Sequence, residues 1–461
     1  MIPLTLGEIA TIVGGRVEGD PDVRVTGPAF LDSRAVEPGG LFVAFVGERV
    51  DGHEYAEGAV ARGAAAVLGS RTTGVPAVLV DDVQRALQEL ARIVLARLHG
   101  HLSVVAITGS SGKTTAKDLL GQMLGDAAAT VATAGSFNNE LGLPLTVLRA
   151  GEETHHLVLE MGARGIGHLD ELCAIAPPDV SLVLNVGKAH LGEFGSRENI
   201  ALAKGEIVDA LTPSGVAVLN SDDPFVAAMA TRAAGRVLTF GRTPGSDVLL
   251  EAVQLDDLGR PTFTLTHAGA TEQVSLRLLG EHQASNAAAT VAAVVACGVL
   301  FVDACASLRA VDQLSRWRME IRERPDGVVV VNDAYNANPD SMRAALETLA
   351  RMGRRGRRTI AVLGAMRELG SDAEAEHRAV GELAGRLGID MVVVIGPDAR
   401  ATYDALLDAG AAPAATRHVE TRDEAGRWLR ENVAGSDVVL VKASRSEGLE
   451  RLADTLMEEA G

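Results

Sequence analysis

Short apolar runs alternate along the whole chain with stretches in which apolar residues recur every three or four positions. The runs "LFVAFVG" at Leu41, "LSVVAIT" at Leu102 and "GVVVVND" at Gly327 are of the first kind, and "VQRALQELARIVLARLHG" at Val83 is of the second. The runs predict buried β-strands, and the longer spacing predicts amphipathic helices. Their alternation is typical of an α/β protein with parallel sheets.

The pattern divides into three segments, which we expect to be separate domains. Residues 1–98 are predicted to form a small α/β unit. We place its boundary after residue 98, because the last helical pattern ends before His99 and Gly100 and glycine commonly follows a helix end. In residues 99–312, near-continuous Val, Leu and Ile runs precede helical patterns, which predicts a parallel sheet buried on both faces. Residues 313–461 repeat that arrangement, so a second, Rossmann-like domain is expected there.

Composition and charge exclude several classes of partner. The net charge of -18 over 461 residues argues against nucleic acid, which requires a basic surface. No run approaches the roughly 18 apolar residues that cross a bilayer, so we expect no stable membrane insertion. The N-terminus starts a helix at a Thr5-x-x-Glu8 capping box and lacks the basic start of an export signal. Three scattered cysteines suit a reducing compartment, and we expect a cytoplasmic monomer.

The stretch "AITGSSGKTTAKDLL", which begins at Ala106, has the features of a phosphate-binding loop between a strand and a helix. Its spacing departs from G-x-x-x-x-G-K-[ST], which would need a glycine where Ile107 stands. Glycines let the backbone approach phosphates, the lysine supplies a charge, and a threonine hydroxyl can bind Mg²⁺. The candidate residues are Thr108, Gly109, Ser110, Ser111, Gly112, Lys113, Thr114 and Thr115. The alternative is a glycine-rich turn with a solvated lysine.

Polar residues follow two further strands of the middle segment. Glu160 ends the run "HLVLE", and His190 follows "VSLVLNV". Ligands of parallel sheets bind beyond the carboxyl ends of the strands, so both residues are expected at the same edge as the loop. Taken singly, a strand-end glutamate can cap the next helix, and a lone histidine is commonly a hydrogen-bonded loop residue. Lys204, on a predicted helix, would by default be solvated.

Beyond residue 100, a series of blocks resembles the Mur ligase family, the ATP-dependent enzymes that build the peptide of bacterial cell-wall precursors. The family's shortened loop, T-G-x-x-G-K-[ST]-[ST], matches Thr108 to Thr115, which accounts for the irregular spacing. The other blocks, in chain order, are "SFNNELGLP" at Ser136, "LEMGARGIGHL" at Leu159, "NVGKAHLGEFGS" at Asn185, "AKGEI" at Ala203, "GEHQASNAAA" at Gly280, "SRWRMEI" at Ser315 and "NDAYNANPDSM" at Asn332. The resemblance implies a central P-loop ATPase domain followed by a Rossmann-like domain.

The resemblance also implies a reaction and a metal site. A substrate carboxylate takes the γ-phosphoryl group of ATP to give an acyl phosphate, which an amine then attacks. Lys113 would bind the phosphates, and Glu160 would be shared by two Mg²⁺ ions, with Thr114 completing the first site and His190 the second. Lys204 matches a lysine that many members carry as a carbamate, which would steady the second ion.

The resemblance assigns further residues to the nucleotide. Asn286 would contact adenine, and Arg318 and Asp333 would contact phosphate and ribose. His282 lies one helical turn from Asn286, so the two can share a face. Either Asn138 or Asn139 would contact phosphate or metal, without a choice between them.

The resemblance extends to the two other substrates. The form "YNANP" is that of members that add D-alanyl-D-alanine, so Tyr335, Asn336 and Asn338 would contact this dipeptide. In the first segment, "DSRAVEPGGLFVAFVGERVDGHEY" resembles the domain that binds the uridine diphosphate of UDP-N-acetylmuramoyl-tripeptide. The residues it implies there are Ser33, Arg34, Asp51, Gly52 and His53.

The sequence departs from the family's pattern at two glycine-containing motifs. Ala365 stands where an aspartate usually follows a glycine, although Glu368 and His377 remain nearby, and Ala443 stands within a motif that is usually K-G-S-R.

The sequence leaves other activities open. A folylpolyglutamate synthase shares the ATP loop but lacks the UDP-binding domain, so UDP binding by residues 1–98 distinguishes the two. A nucleotide-dependent switch or simple phosphotransferase would need only the loop, and it predicts phosphate release or transfer that is independent of any amine. A non-catalytic scaffold would give the strand-end polar residues no reason to converge.

Overall fold

The computed structural model describes residues 1–47, 50–135, 137–187, 194–311 and 315–458. His190 therefore lies outside the described residues. No helix in these ranges combines the length and apolar character needed to cross a membrane.

The first segment is a small α/β unit built around a parallel sheet. Its strands are β1 Leu4–Thr5, β2 Arg16–Glu18, β3 Arg24–Val25, β4 Ala29–Phe30, β5 Leu41–Val43, β6 Ala66–Gly69 and β7 Ala77–Leu79, and its helices are α1 Leu6–Val13, α2 Ala56–Ala61 and α3 Val83–Leu98. The described strands order as β2-β7-β6-β5-β4, with only β2 antiparallel, and β1 pairs with β3. The predicted capping box is present, since Thr5 and Glu8 exchange side-chain to backbone hydrogen bonds at the start of α1.

The middle segment has a large sheet whose central strands are parallel, as predicted. Its strands are β8 Ser103–Thr108, β9 Thr130–Ala132, β10 His156–Glu160, β11 Val180–Val183, β12 Val216–Asn220, β13 Arg236–Gly241, β14 Val248–Leu255, β15 Pro261–His267 and β16 Ala270–Ser275. Its helices are α4 Lys113–Ala127, α5 Gly142–Val147, α6 His168–Ile175, α7 Arg197–Asp209, α8 Pro224–Ala227, α9 His282–Ala296 and α10 Phe301–Ala310. The described strands order as β16-β15-β14-β13-β12-β11-β8-β10-β9.

One edge of this sheet departs from the all-parallel prediction. Strand β15 pairs antiparallel with both β14 and β16, so the sheet is mixed. The register of β15 alternates buried Phe263 and Leu265 with half-buried threonines, which is the pattern of an antiparallel strand with one covered face.

The last segment is a Rossmann-like unit. Its strands are β17 Glu320–Glu323, β18 Val329–Asp333, β19 Thr359–Leu363, β20 Met391–Ile395, β21 Thr416–Val419 and β22 Val438–Lys442, and its helices are α11 Pro339–Met352, α12 Ala373–Leu387, α13 Arg400–Asp408, α14 Arg422–Asn432 and α15 Glu450–Glu458. The described strands order as β17-β18-β22-β19-β20-β21, with only β17 antiparallel. Asp333 and Lys442 are register partners at the ends of β18 and β22.

Strand ends position the site. Strand β8 lies between β10 and β11, and Glu160 is the register partner of Ile107, just before the phosphate loop. The predicted apolar face of α4 is buried, with Ala116, Leu120 and Met123 packed in the core. Helix α3 packs on α5 and α6, so one apolar core runs from the first segment into the middle one. This packing fixes the first segment against the middle one.

Candidate active site

A cavity of about 1090 Å³ opens between the middle and last segments and reaches Leu31 of the first. It is lined by most of the residues predicted for the nucleotide, the catalytic groups and the dipeptide: Ser110, Ser111, Gly112, Lys113, Thr114, Thr115, Glu160, Lys204, Asn286, Arg318, Asp333, Tyr335, Asn336 and Asn338. Among the described candidates, Thr108 and Gly109 do not line it, nor do Ser33, Arg34, Asp51, Gly52 and His53. The fold thus brings together a set of predicted residues that are distant in the chain.

The loop between β8 and α4 is shaped for an anion. Gly112 adopts a left-handed backbone with φ +83°, and a Cβ there would lie 2.6 Å from Asn286 Oδ1. The Lys113 ammonium donates to the Gly109 carbonyl at 2.7 Å, which curls the side chain back over the loop. Because α4 begins at Lys113, the free N–H groups of its first turn lie at the cavity.

Asn185 braces this loop, a role that was not predicted from the sequence. Its Oδ1 accepts from the Ser111 N–H at 2.9 Å, and its Nδ2 donates to the Ser111 carbonyl at 3.1 Å. The signal available in the sequence was an asparagine just after a buried strand, at the edge where ligands bind.

Glu160 is a buried carboxylate with two side-chain partners. Its Oε2 accepts from the Thr114 hydroxyl at 2.8 Å, and its Oε1 accepts from Asn138 Nδ2 at 2.8 Å. Asn139 instead accepts from the Gly142 N–H at 2.9 Å and so supports the start of α5. The two asparagines therefore have different roles. Among the described contacts, Asn138 bonds to Glu160 and Asn139 does not.

Two lysines face the same part of the cavity. Burial lowers the pKa of Lys204 well below its ordinary value, and the neighbouring Lys113 charge lowers it further. Burial also lowers the pKa of Lys113, against the opposing attraction of Glu160. The Lys204 side chain makes no hydrogen bond or ion pair with any residue that the structure describes, although the residue is only 4% exposed. A buried amine in this setting is unusual without a ligand or a modification.

The wall formed by the last segment carries an internal ion pair. Lys442 donates to Asp333 at 2.5 Å and to the Asn336 carbonyl at 2.9 Å, and Asp333 also accepts from the Met319 N–H at 3.0 Å. No role for Lys442 was predicted, because its partner lies far away in the chain. The pair fixes the loop that follows β18 against the end of β22.

Arg318 lies over the ring of Tyr335, with 4.3 Å between its guanidinium carbon and the ring centroid. Its Nε is buried without a hydrogen-bond partner among the described residues. A buried donor of this kind is costly unless a ligand satisfies it, and Arg318 lines the cavity. An anionic oxygen is the natural acceptor.

The adenine candidate lies on α9. Asn286 donates to Gln283 Oε1 at 3.0 Å and lines the cavity with His282, one turn earlier, as the spacing predicted. Burial lowers the pKa of His282 despite the attraction of Asp333. His282 is therefore neutral at pH 7 and can accept as well as donate a hydrogen bond.

Asn338 has a structural partner in addition to its place on the cavity wall. Its Oδ1 accepts from the Ser341 N–H at 2.9 Å, which caps α11. Its side-chain NH₂ group is the part suited to donate to a ligand.

The candidates of the first segment form a separate group. The Asp51 carboxylate bonds to His53 Nδ1 at 2.6 Å and to Arg71 at 2.8 Å, and His53 Nε2 accepts from the Ser70 N–H at 2.9 Å. The buried His53 therefore holds the turn at Gly52 in place. The Arg34 side chain is 87% exposed and pairs with Asp32, next to the buried Ser33.

Ala365, which stands where the family usually has an aspartate, lies in a buried part of the chain. Ala365 is buried, and its carbonyl accepts from the Ser444 N–H at 3.0 Å. His377 is also internal, since its Nε2 accepts from the Met366 N–H at 3.0 Å. Glu368 lines the cavity with a left-handed backbone at φ +64°. Glu368 is thus the acidic side chain that this motif presents to the site, whereas His377 supports the motif from behind.

Three family profiles match successive parts of this chain. They are "Mur ligase family, catalytic domain" over residues 30–98, "Mur ligase middle domain" over residues 107–294 and "Mur ligase, glutamate ligase domain" over residues 317–445.

Individual proteins match over nearly the full length. The UDP-N-acetylmuramoyl-tripeptide--D-alanyl-D-alanine ligase of Mycobacterium bovis is 46% identical, over 100% of this chain and 98% of that protein. A crystal structure of MurF from Acinetobacter baumannii superposes with a TM-score of 0.86 at 32% identity, covering 99% of both chains. The structure of MurF ligase from Thermotoga maritima in complex with ADP gives a TM-score of 0.78 at 32% identity, covering 95% of this chain and 98% of that one.

Proposed function

The chain belongs to the Mur ligase family, and we propose that it joins D-alanyl-D-alanine to UDP-N-acetylmuramoyl-tripeptide, converting ATP to ADP and phosphate. The observation that carries the proposal is one cavity lined both by the phosphate loop of the middle segment and by Tyr335, Asn336 and Asn338 of the last. A ligase needs both an activated acyl group and an amine in one place, and this cavity has a wall suited to each.

ATP is assigned to the loop and its surroundings. The helix N-terminus and Lys113 suit the phosphates, and Asn286 suits the base. Arg318 Nε, which has no hydrogen-bond partner within the part of the chain that the structure describes, suits a phosphate oxygen. In this assignment the terminal phosphate lies near Glu160 and Lys204.

Magnesium fits the same place. The Thr114 hydroxyl and the Glu160 carboxylate are buried oxygen donors 2.8 Å apart, and Asn138 adds an amide beside them. Thr114 and Glu160 would hold one ion, with Glu160 also facing a second ion near His190, which lies outside the described residues. Within the described ranges, no group of three or more His, Cys, Asp or Glu side chains is placed to hold a metal ion by itself. Bound Mg²⁺ would neutralise charge on the phosphate oxygens.

The chain's own residues position two substrates in turn. A carboxylate oxygen of the tripeptide attacks the γ-phosphorus, so that an O–P bond forms and the bond to ADP breaks. The dipeptide nitrogen, which has lost one ammonium proton to water, next attacks the acyl carbon and forms the C–N bond. Phosphate leaves with the electrons of the C–O bond, and the nitrogen releases a second proton to water and keeps one in the new amide. Lys113 and the loop N–H groups stabilise the negative charge, which is the main requirement of phosphoryl transfer.

We further propose that Lys204 is carbamylated. The neutral amine reacts with CO₂ to give a carbamate and a proton, and its lowered pKa keeps that neutral form available. A carbamate would replace a buried neutral amine by an anion suited to a metal ion. Labelling with ¹³C-bicarbonate should give a carbamate resonance that Lys204→Arg lacks.

The remaining assignments concern the first segment, the domain boundaries and the protein's state. We assign UDP to residues 1–98 around Ser33 and Arg34, ATP and Mg²⁺ to residues 99–312, and the dipeptide to residues 313–461. We also propose a cytoplasmic monomer, and light scattering of the purified protein would test its oligomeric state.

Phosphate release measures the activity directly. Purified protein with ATP and Mg²⁺ is given UDP-N-acetylmuramoyl-tripeptide and D-alanyl-D-alanine, separately and together. Release that requires both, with a UDP-linked pentapeptide by mass spectrometry, is expected. Release that ignores the dipeptide would instead indicate a phosphotransferase or switch.

A further inference from the structure

Arg445 presents a guanidinium to the cavity from the wall of the last segment. It begins a short turn after β22, lines the cavity, and has a side chain that is 48% exposed. Its guanidinium carbon lies 4.1 Å from the centroid of the Trp317 ring, and its Nη1 pairs with Glu450 Oε1 at 2.6 Å. Within the part of the chain that the structure describes, its other donors have no hydrogen-bond or ion-pair partner.

Trp317 supports this guanidinium from a strained position that its neighbours enforce. Its backbone has φ +63°, which is unusual for a bulky residue. Its N–H donates to Glu320 Oε2 at 3.1 Å, and its carbonyl accepts from the Tyr335 N–H at 3.2 Å. The rings of Trp317 and Tyr335 also stack, with 6.5 Å between their centroids. Enforced strain of this kind clusters at ligand sites.

The turn that carries Arg445 is tied to the loop proposed for the dipeptide. Lys442 donates to the Asn336 carbonyl at 2.9 Å, and the Ser444 hydroxyl donates to the Ala337 carbonyl at 3.5 Å. An extended dipeptide spans at most about 7 Å, so a dipeptide bound at this loop needs partners for both of its ends close by.

The wall of the last segment has few cations for such an end. The Lys and Arg side chains that line the cavity within the described ranges are Lys113, Arg164, Lys204, Arg318, Lys442 and Arg445. The first three belong to the middle segment. On the wall of the last segment, Arg318 is assigned to phosphate in the proposed function, and Lys442 is held by Asp333 at 2.5 Å. Arg445 is thus the cation of this wall that remains for a second anion.

Glu450 orients the guanidinium of Arg445 and leaves donors for a ligand. A guanidinium has five N–H donors in a rigid fork, and Glu450 pairs with Nη1. Glu450 lies in the first turn of α15, where the helix N-terminus also stabilises its negative charge. Arg445 can therefore pair with a second carboxylate while Glu450 remains in place.

The incoming dipeptide carries a carboxylate that needs a partner of this kind. A C-terminal carboxyl group has a pKa of about 3.3–3.7, so it is an anion at neutral pH, and burying it unpaired would be costly. The fork of a guanidinium matches the two oxygens of a carboxylate. We propose that Arg445 binds the C-terminal carboxylate of the amine substrate. This inference rests on the proposed ligase function, and it makes a free C-terminus a requirement of that substrate.

Arg445→Gln removes the charge and the donor fork. Arg417→Gln is the matched control, because Arg417 lies 5.9 Å from the ring centroid of the other tryptophan, Trp428, yet is exposed and outside the cavity. The control accounts for the loss of a guanidinium that lies over a tryptophan ring. Arg445→Lys keeps a cation beside the buried Glu450 and loses only the fork, so it serves in the same assays if the glutamine variant does not fold.

D-Alanyl-D-alanine amide keeps the attacking amine and lacks the carboxylate. Wild type should use the free dipeptide with a KM about 10- to 100-fold lower than that of the amide, the range for a charged hydrogen bond. R445Q should raise the KM of the free dipeptide by that factor and leave the KM of the amide within about threefold. R445K should keep an intermediate preference, and R417Q should change neither KM.

Hydroxylamine separates the two half-reactions, because it traps an acyl phosphate as a hydroxamate without carrying a carboxylate. Hydroxamate formation from ATP and UDP-N-acetylmuramoyl-tripeptide should stay within about threefold of wild type in R445Q. Loss of hydroxamate together with pentapeptide would assign Arg445 to ATP or the tripeptide and overturn the proposal. Equal use of dipeptide and amide by wild type, or an unchanged preference in R445Q, would also overturn it. Absence of both hydroxamate and pentapeptide in wild type would instead overturn the ligase function itself.

Discussion

Gly112→Ala tests how the phosphate loop and the adenine candidate depend on each other. Gly112 has φ +83°, a region that costs an alanine about 1–2 kcal/mol. The new Cβ would lie 2.6 Å from Asn286 Oδ1, so the buried amide must move and weaken its 3.0 Å bond to Gln283. That adds about 0.5–1.5 kcal/mol. The free energy of unfolding should therefore fall by about 1.5–3.5 kcal/mol.

Gly100→Ala is the matched control. Gly100 has φ +95°, and a Cβ there meets nothing within 4 Å, so only the backbone cost of about 1–2 kcal/mol applies. Calorimetric titration with ATP should show about tenfold weaker binding for G112A, because one hydrogen-bonding group of the site is displaced, and unchanged binding for G100A. If G112A bound ATP as tightly as G100A, Asn286 would not form part of the nucleotide site.

Three further predictions concern other parts of the molecule. Asn138→Ala should lower kcat at subsaturating Mg²⁺ at least about tenfold, because it removes a hydrogen-bond partner of Glu160. Asn139→Ala should only lower the free energy of unfolding, by about 1 kcal/mol, because its partner is the Gly142 N–H. Urea unfolding measures the stability of both variants, and their activity is the second readout. Burial lowers the pKa of His377 in the folded protein, so the unfolded chain binds a proton there more readily than the folded one. The free energy of unfolding should therefore fall as the pH drops below about 6.5. His377→Gln should flatten this pH dependence, as measured by urea titrations at several pH values. Burial raises the pKa of the thiols of Cys173, Cys297 and Cys305 to about 12. Iodoacetamide at mildly alkaline pH should therefore modify these cysteines only after denaturation, and mass spectrometry counts the modified thiols.

The parts of the site that depend on local order could be predicted from the sequence. A strand that leads through glycines into a helix defines the loop at Gly112. The parallel sheet brings the end of β10 beside this loop, so the position of Glu160 next to it could be predicted from the sequence alone. The same reasoning placed His282 and Asn286 on one helical face.

Pairs between distant segments could not be predicted in this way. Asp333 and Lys442 meet because β18 and β22 are neighbours in the sheet, which only the strand order reveals. The approach of Asp340 to Gly187 depends on how the last segment docks on the middle one. The antiparallel strand β15 was missed for a related reason, since an edge strand can resemble part of a parallel run until its partners are known.

The link between the last two segments gives a physical reason for nucleotide and amine binding to be coupled. Ser315, just before β17, donates its N–H to Asp118 at 2.7 Å and its hydroxyl to the same carboxylate at 3.0 Å. Asp118 lies in α4, the helix whose first turn contains Lys113, and it also pairs with the buried Lys117 at 2.7 Å. The start of the last segment is therefore tied to the helix that receives the phosphates. We therefore expect a shift of α4 on ATP binding to move this anchor, and with it the wall of the last segment that carries Tyr335 and Asn338.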